Sequence, residues 1–172
     1  SEIMLQQTRV EAVKPYFERF MAAFPDIKAL AEADDDYLMK MWEGLGYYNR
    51  ARNLKAAAII VMEEFCGQIP AEKEELLKLP GIGSYTAGAI SSIAYGVPNP
   101  AVDGNVLRVL SRLWGDTSDI KKASVKAAME QEIAEVMPEN AASSYNQGLI
   151  EIGALVCIPG GEPKCSECPL AS

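Results

Sequence analysis

The chain has 172 residues, 49% of them hydrophobic, with 16 Lys and Arg against 24 Asp and Glu for a net charge of -8. That length allows one large domain or two small lobes with a real core. No apolar run is long enough to span a membrane, and no basic-then-apolar leader opens the chain, so a cytoplasmic protein without a membrane partner is expected. Histidine is absent, which excludes a His base or a His metal ligand within these residues. The negative charge argues against a broad cationic face for polyanions. Two routes to phosphate stay open: main-chain amides, which need no cations, and local clustering of Arg50, Arg52 and Lys55 or of Arg108 and Arg112.

The chain starts Ser1-Glu2-Ile3-Met4-Leu5 in helical rhythm, lacks an initiator Met and stops soon after Cys168, so part of a longer protein is expected. Met4, Val10, Val13, Phe17 and Phe20 keep roughly helical spacing up to Pro25. Asp34, Asp35 and Asp36 favour a helix start before Leu38, Met41 and Trp42, and Gly44 and Gly46 break that helix. An Ala-rich helix is predicted from about Tyr47 to Phe65, where Cys66 reads as a buried thiol, and a short helix over Glu72 to Lys78. Leu79-Pro80-Gly81-Ile82-Gly83 reads as a tight turn, after which Ser84 can cap a helix running to about Tyr95. Pro98 and Pro100 form a connector, and helices fit Gly104–Trp114, Ala123–Met137 and Ala141–Val156 ahead of a Pro/Gly/Cys tail. No alternating strand pattern appears. The class expected is all-α, with two helical lobes, residues 1–98 and 99–172, divided at the connector.

The sharpest local signal is the turn between two helices at Leu79-Pro80-Gly81-Ile82-Gly83. Glycines permit positive φ and let main-chain N–H groups approach a phosphate without a Cβ in the way. The following helix N-terminus adds partial positive charge. A Gly-x-Gly alone is an ordinary helical corner; the full Leu-Pro-Gly-x-Gly with helices on both sides favours a phosphate grip. This segment resembles the helix–hairpin–helix of the endonuclease III superfamily of DNA glycosylases. The resemblance implies that Leu79, Gly81 and Gly83 hold the DNA backbone. Members that also cut the strand carry a Lys where this chain has Tyr85; a Tyr cannot form a Schiff base with the sugar. The departure implies a monofunctional enzyme. The rivals are a bifunctional endonuclease III-type lyase and a non-catalytic DNA-binding module.

Asp103, in Val102-Asp103-Gly104-Asn105-Val106, precedes a helix, and its bland role is a simple N-cap. The superfamily places an essential Asp in this context, which implies that Asp103 stabilises the cationic sugar formed as the base leaves, as in glycoside hydrolysis. Ser1-Glu2-Ile3-Met4-Leu5-Gln6-Gln7-Thr8 resembles the signature of adenine DNA glycosylases, the MutY family. The match implies that Glu2 protonates the departing adenine and then positions water as a base. A protonated carboxyl near neutral pH requires burial against apolar neighbours such as Leu5. Gly44-Leu45-Gly46-Tyr47-Tyr48-Asn49-Arg50-Ala51-Arg52 resembles a second segment of that family. There Tyr47 would wedge into the base stack, with Gln7, Thr8 and Leu45 lining the same side; the plain alternative for the tyrosine pair is core packing. Gln147 lies where the family has an adenine-pocket amide or carboxylate, Tyr85 and Asn105 would help fix the site, and the plain alternative for Gln147 is a surface helix.

Cys157, Cys165 and Cys168 follow a Cys-x7-Cys-x2-Cys spacing. On spacing alone zinc and iron–sulfur both fit. The related glycosylases carry Cys-x6-Cys-x2-Cys-x5-Cys around a [4Fe–4S] cluster, so the resemblance implies that cofactor. One residue is extra in the first gap here, and the fourth Cys would fall two positions beyond Ser172, so the cluster is expected to be incomplete or absent on these residues alone. The family's first helix and its C-terminal domain that helps read 8-oxoguanine are also outside the sequence. Taken together, the resemblance implies a monomeric DNA repair glycosylase acting on adenine opposite 8-oxoguanine or guanine in duplex DNA, with Asp103, Glu2 and the hairpin facing a cleft between the lobes.

Overall fold

The computed structural model describes residues 1–171, and all regular structure among them is helical. The chain divides into two compact units, Ser1–Gly83 and Ser84–Ser172. Among the described residues no helix is long and apolar enough to cross a membrane.

The first unit contains α1 (Glu2–Leu5), α2 (Val10–Ala23), α3 (Ile27–Ala31), α4 (Asp35–Trp42), α5 (Asn49–Glu64) and α6 (Lys73–Leu76). Aspartates start two of them. The Asp26 carboxylate accepts from Ala29 N at 2.7 Å, and Asp34 accepts from Tyr37 N at 3.0 Å, each filling a donor the helix cannot pair internally. Trp42, Leu38, Phe20, Phe24 and Met4 form the core, with the Phe20 ring edge-on to Phe24 at 4.8 Å and to Trp42 at 5.8 Å.

The helical rhythm from Met4 to Phe20 is not one helix. The chain breaks at Gln6–Arg9, where Gln7 takes a φ of 58°. Met4, Val13 and Phe20 reach the core, whereas Val10 at 56% and Phe17 at 38% stay exposed. Cys66 also departs from expectation. It is exposed, at a φ of 53°, because α5 ends there in a left-handed cap in which Gly67 N donates back to Val61 O at 2.9 Å. α3 had no distinct signal in the sequence beyond Asp26.

The second unit contains α7 (Ser84–Ala89), which runs on as a π-helical turn over Ile90–Ala94, then α8 (Gly104–Trp114), α9 (Ala123–Val136) and α10 (Ala142–Glu151), which continues as a second π turn over Ile152–Val156. A short 3-10 turn, Cys165–Glu167, lies in the tail. Val102, Val106, Val109, Leu110, Met129, Ile133 and Leu149 form its core. The Ser84 hydroxyl donates to Glu130 of α9.

The compact units part at Gly83, ahead of the Pro98–Pro100 connector. Two contacts bind α7 into the second unit. Gly88 lies so close to the connector that a Cβ there would sit 2.0 Å from Pro100 O. The fully buried Asn146 of α10 donates to Ser92 Oγ at 2.7 Å and Asn99 O at 2.9 Å, and accepts from Ala101 N at 3.0 Å. One amide thus satisfies three groups of the π turn and the connector, leaving no buried polar debt.

These contacts set a stability test. Gly88→Ala places a methyl against main-chain atoms that cannot swing aside, so it should cost about 1–3 kcal/mol in urea unfolding. Gly148→Ala, in α10 with nothing within 4 Å of its added Cβ, should be neutral or stabilise by up to about 1 kcal/mol.

Candidate active site

A buried arginine organises the candidate residues of the first unit. Arg50, at the start of α5, is only 7% exposed and faces no carboxylate. Its Nη1 donates to Met4 O at 2.7 Å, Gln6 O at 2.5 Å and Ile3 O at 3.3 Å, and Nη2 donates to Gly46 O at 3.2 Å and Leu45 O at 3.5 Å. A four-residue helix pairs almost none of its own carbonyls, and Arg50 takes those at the end of α1. The same guanidinium ties α1 to the Gly44–Tyr48 loop. Burial pulls Arg50 below the usual arginine pKa, yet an arginine keeps its charge near neutrality. Gln6 adds a third tie, donating to Gly81 O in the hairpin turn at 3.1 Å.

These ties place the candidate residues of the first unit. Glu2 lies in the first turn of α1, half-buried beside the buried Ile3 and Met4, with Leu5 also half-buried. Gln7 is exposed in its left-handed conformation, and the Thr8 hydroxyl donates to Gln6 O at 3.4 Å. In the loop, Gly44, Gly46 and Tyr47 all have positive φ, at 92°, 75° and 48°. For Tyr47 this is a strained conformation. Its ring is 60% exposed and lies 5.3 Å from the Arg50 guanidinium. Tyr48 is 39% exposed, its hydroxyl accepting from Gly44 N at 3.4 Å. Neither tyrosine is a core residue. Leu45 is the one that points inward, at 7% exposure.

In the hairpin, Leu79 is buried and anchors the turn, and Ile82 N donates to Leu79 O at 3.2 Å. Gly81 has a φ of 79° and lies against Asn53, 2.9 Å from where its Cβ would be. Gly83 is not left-handed and has nothing within 4 Å of that position. Only the first glycine is required by the turn itself.

In the second unit Asp103 caps α8. Its Oδ1 accepts from Asn105 N at 2.9 Å and Val106 N at 2.8 Å, and its Oδ2 accepts from Asn105 Nδ2 at 2.9 Å. Asn105 Oδ1 in turn accepts from Arg108 Nη2 at 2.9 Å. Arg108 also donates to Gly153 O at 2.5 Å and, through Nε, to Cys157 O at 2.8 Å. A relay therefore runs from the Asp103 carboxylate to the start of the cysteine tail. Gly153 makes room for it, since a Cβ there would lie 2.6 Å from Asn105 Cβ. Tyr85 sits half-buried in the first turn of α7. Gln147 is exposed on α10, donating to Ser143 Oγ at 2.9 Å on its own helix.

A sequence profile described as HhH-GPD superfamily base excision DNA repair protein matches residues 1–135. The adenine DNA glycosylase of Buchnera aphidicola subsp. Acyrthosiphon pisum (strain APS) is 41% identical over 170 residues, spanning 99% of this chain and 48% of that protein. The adenine DNA glycosylase of Homo sapiens is 41% identical over 173 residues, covering 100% of this chain and 32% of that one. Among solved structures, a thermostable thymine-DNA glycosylase has a TM-score of 0.88 at 27% identity, over 98% of this chain and 77% of that chain. A trapped endonuclease III–DNA covalent intermediate gives 0.82 at 28% identity, with the same coverage. The chain belongs to the HhH-GPD superfamily. It spans about half the length of the bacterial adenine DNA glycosylase, 48%.

Within this HhH-GPD chain the clustered cations do not form the phosphate-binding patch that their spacing suggests. Arg50 is buried, Lys55 pairs with Asp35, and Arg108 is taken up by carbonyls and Asn105. Arg112 donates to Ile158 O at 3.0 Å and to Cys157 Sγ at 3.3 Å. Arg52 is exposed and bonds to the neutral Asn49 at 3.0 Å. By residue type and spacing, Arg50 and Arg108 register only as charges. Their helix-face positions next to glycine turns are the available signal that they bind main chain.

Cys157, Cys165 and Cys168 are free thiols, and no three His, Cys, Asp or Glu side chains among the described residues are grouped to hold a metal. Thiolates are the right donors for a soft metal, but three that do not converge are no complete site. No step of the chemistry is therefore assigned to a cluster, and the expected fourth ligand lies outside the described residues.

The hairpin glycines separate folding from binding. Gly81→Ala should cost about 1–2 kcal/mol in urea unfolding, because its left-handed φ must be kept. Gly83→Val should leave stability within about 1 kcal/mol yet weaken duplex binding several-fold across all sequences, since phosphate contacts carry no base information. Unchanged binding by Gly83→Val, measured by duplex titration, removes the amide grip from the hairpin.

Proposed function

We propose that this chain is the catalytic core of a monofunctional adenine DNA glycosylase, which hydrolyses the N-glycosidic bond of adenine opposite 8-oxoguanine or guanine in duplex DNA. The observation that carries the reading is the second oxygen of Asp103. Capping α8 needs only Oδ1, whereas Oδ2 is held by Asn105, itself held by Arg108. That is more machinery than a cap requires, and it fits a carboxylate whose direction matters to a reacting centre. Relatives named adenine DNA glycosylase, at 41% identity across nearly the whole chain, support the same substrate.

In this reading Glu2 gives its proton to adenine N7. The C1′–N9 bond breaks and its electron pair leaves with the base. Asp103 faces the cationic sugar, oriented by Asn105, while Gln147 and Leu5 contact the base. Water adds at C1′ and its proton returns to the Glu2 carboxylate. Tyr47, with Gln7, Thr8 and Leu45 on the same side, fills the gap left by the extruded nucleotide. Tyr85 has no amine, so no Schiff base with the sugar forms there and the strand stays intact. That distinguishes this reading from a lyase of the endonuclease III type. The protein works as a monomer on DNA. A [4Fe–4S] cluster on Cys157, Cys165 and Cys168, with a fourth thiolate from beyond this sequence, would brace the tail in the full-length protein. About four irons per chain are expected there, and stoichiometric zinc would remove that assignment.

The decisive experiment is single-turnover excision by the full-length protein. Glu2→Gln should slow chemistry by roughly 100-fold to 10,000-fold with mispair binding retained. Asp103→Asn should slow it comparably, although Asn caps a helix about as well as Asp. A purine that leaves without protonation should rescue Glu2→Gln far more than Asp103→Asn. Borohydride should trap no adduct. Near-wild-type turnover by either variant removes that residue from the mechanism.

A further inference from the structure

Tyr47 is anomalous on its own terms. An aromatic ring left 60% exposed gains little from the hydrophobic effect, and its φ of 48° is one that L side chains avoid. The loop nevertheless holds it there. Gly46 precedes it in the left-handed region, and Gly46 O is pinned twice, by Trp42 Nε1 at 3.0 Å and by Arg50 Nη2 at 3.2 Å. The Arg50 guanidinium lies 5.3 Å from the Tyr47 ring and 5.5 Å from Trp42. A guanidinium is planar and rigid, and here five main-chain carbonyls fix its plane. A lysine ammonium has three donors and no flat face, and could not do both.

We propose that Arg50 is a positioning residue for base extrusion: its guanidinium, locked by the carbonyls of α1 and of the Gly44–Tyr48 loop, is the platform that holds the exposed Tyr47 ring ready to enter the base stack. The proposal rests on the glycosylase reading and adds to it a residue that touches neither base nor sugar. A ring already held outside the core need not be ordered when DNA arrives, so the entropy of placing it is spent on folding. Because the same cation ties down the end of α1, the residue that opens the stack and the helix carrying Glu2 are held as one body.

The test is a double-mutant cycle in the full-length protein: wild type, Arg50→Lys, Tyr47→Leu and the pair. Extrusion is followed by stopped-flow fluorescence of 2-aminopurine placed beside the mispaired adenine, and folding by the thermal midpoint. Each single change should slow extrusion by about tenfold. The pair should be no slower than the slower single variant, while Arg50→Lys lowers the thermal midpoint equally in both backgrounds. A merely structural role for Arg50 predicts slowing that multiplies with that of Tyr47→Leu, and this result, or wild-type extrusion by Arg50→Lys, overturns the proposal. Should Arg50→Lys not fold, the exposed position still decides: Tyr47→Leu must shift the Arg50 guanidinium NMR signals of the free protein, and unshifted signals overturn it. A wild-type protein that excises no adenine defeats the glycosylase reading itself, a failure distinct from a multiplicative cycle.

Discussion

The candidate residues of each unit depend on one constraint: the helices that carry them are too short, or end too abruptly, to satisfy their own main-chain groups, and side chains from elsewhere in the same unit must do so. α1 has four residues; its Ile3 and Met4 carbonyls go to Arg50, and Leu5 O accepts from Thr8 N. Asp103 fills the first amides of α8. Arg108 and Arg112 take carbonyls where α10's π turn gives way to the tail. An unpaired buried carbonyl or amide costs about 1–3 kcal/mol, so each of these side chains fixes a loop more tightly than apolar packing there could. A buried guanidinium normally costs several kcal/mol to desolvate. Five carbonyl contacts offset that cost for Arg50, although its Nε finds no partner.

That use of arginine explains how an acidic chain can still suit a polyanion. With a net charge of -8, and with four of the five clustered cations occupied by carbonyls or by Asp35, those two clusters leave little free charge for phosphate. Main-chain dipoles are a second means of holding one. The turn at Gly81–Gly83 is the candidate for this: Leu79 and Ile82 pack inward, Gln6 anchors Gly81 O, and Gly83 faces outward with open space where a side chain would be. Amide contacts of this kind are indifferent to base sequence. They suit the duplex-acting glycosylase proposed above.

Much of this was legible from residues alone, and the failures share a cause. The helices at Asp35–Trp42, Asn49–Glu64 and Gly104–Trp114 follow from apolar periodicity with aspartate or glycine near their ends, and Ala123–Val136 is followed at once by Met137-Pro138. Asp103 as a cap before α8 was readable from position. The break after Leu5 was not, because it is imposed by Arg50 from far along the chain, and periodicity sees only neighbours. Cys66 reads as buried by type, but the left-handed cap of α5 turns it outward. Glu2 and Leu5 are both half-buried, so the apolar surroundings expected beside Glu2 are only partly in place. The unit boundary at Gly83 escaped because Asn146 and Gly88, neither an obvious signal, bind the hairpin helix to the connector.

The way the cations are held also respects the two carboxylates. Among the described residues neither Glu2 nor Asp103 is in an ion pair, although each has an arginine nearby in its own unit's network. Arg50 reaches the carbonyls of α1 and leaves the Glu2 side chain alone. Arg108 reaches Asp103 only through the neutral amide of Asn105. In the proposed mechanism a guanidinium placed directly on Glu2 would oppose proton donation, and one placed directly on Asp103 would cancel the charge offered to a cationic sugar, whereas an amide transmits direction without net charge. The indirect arrangement is therefore the one expected where orientation and charge must be supplied by different groups.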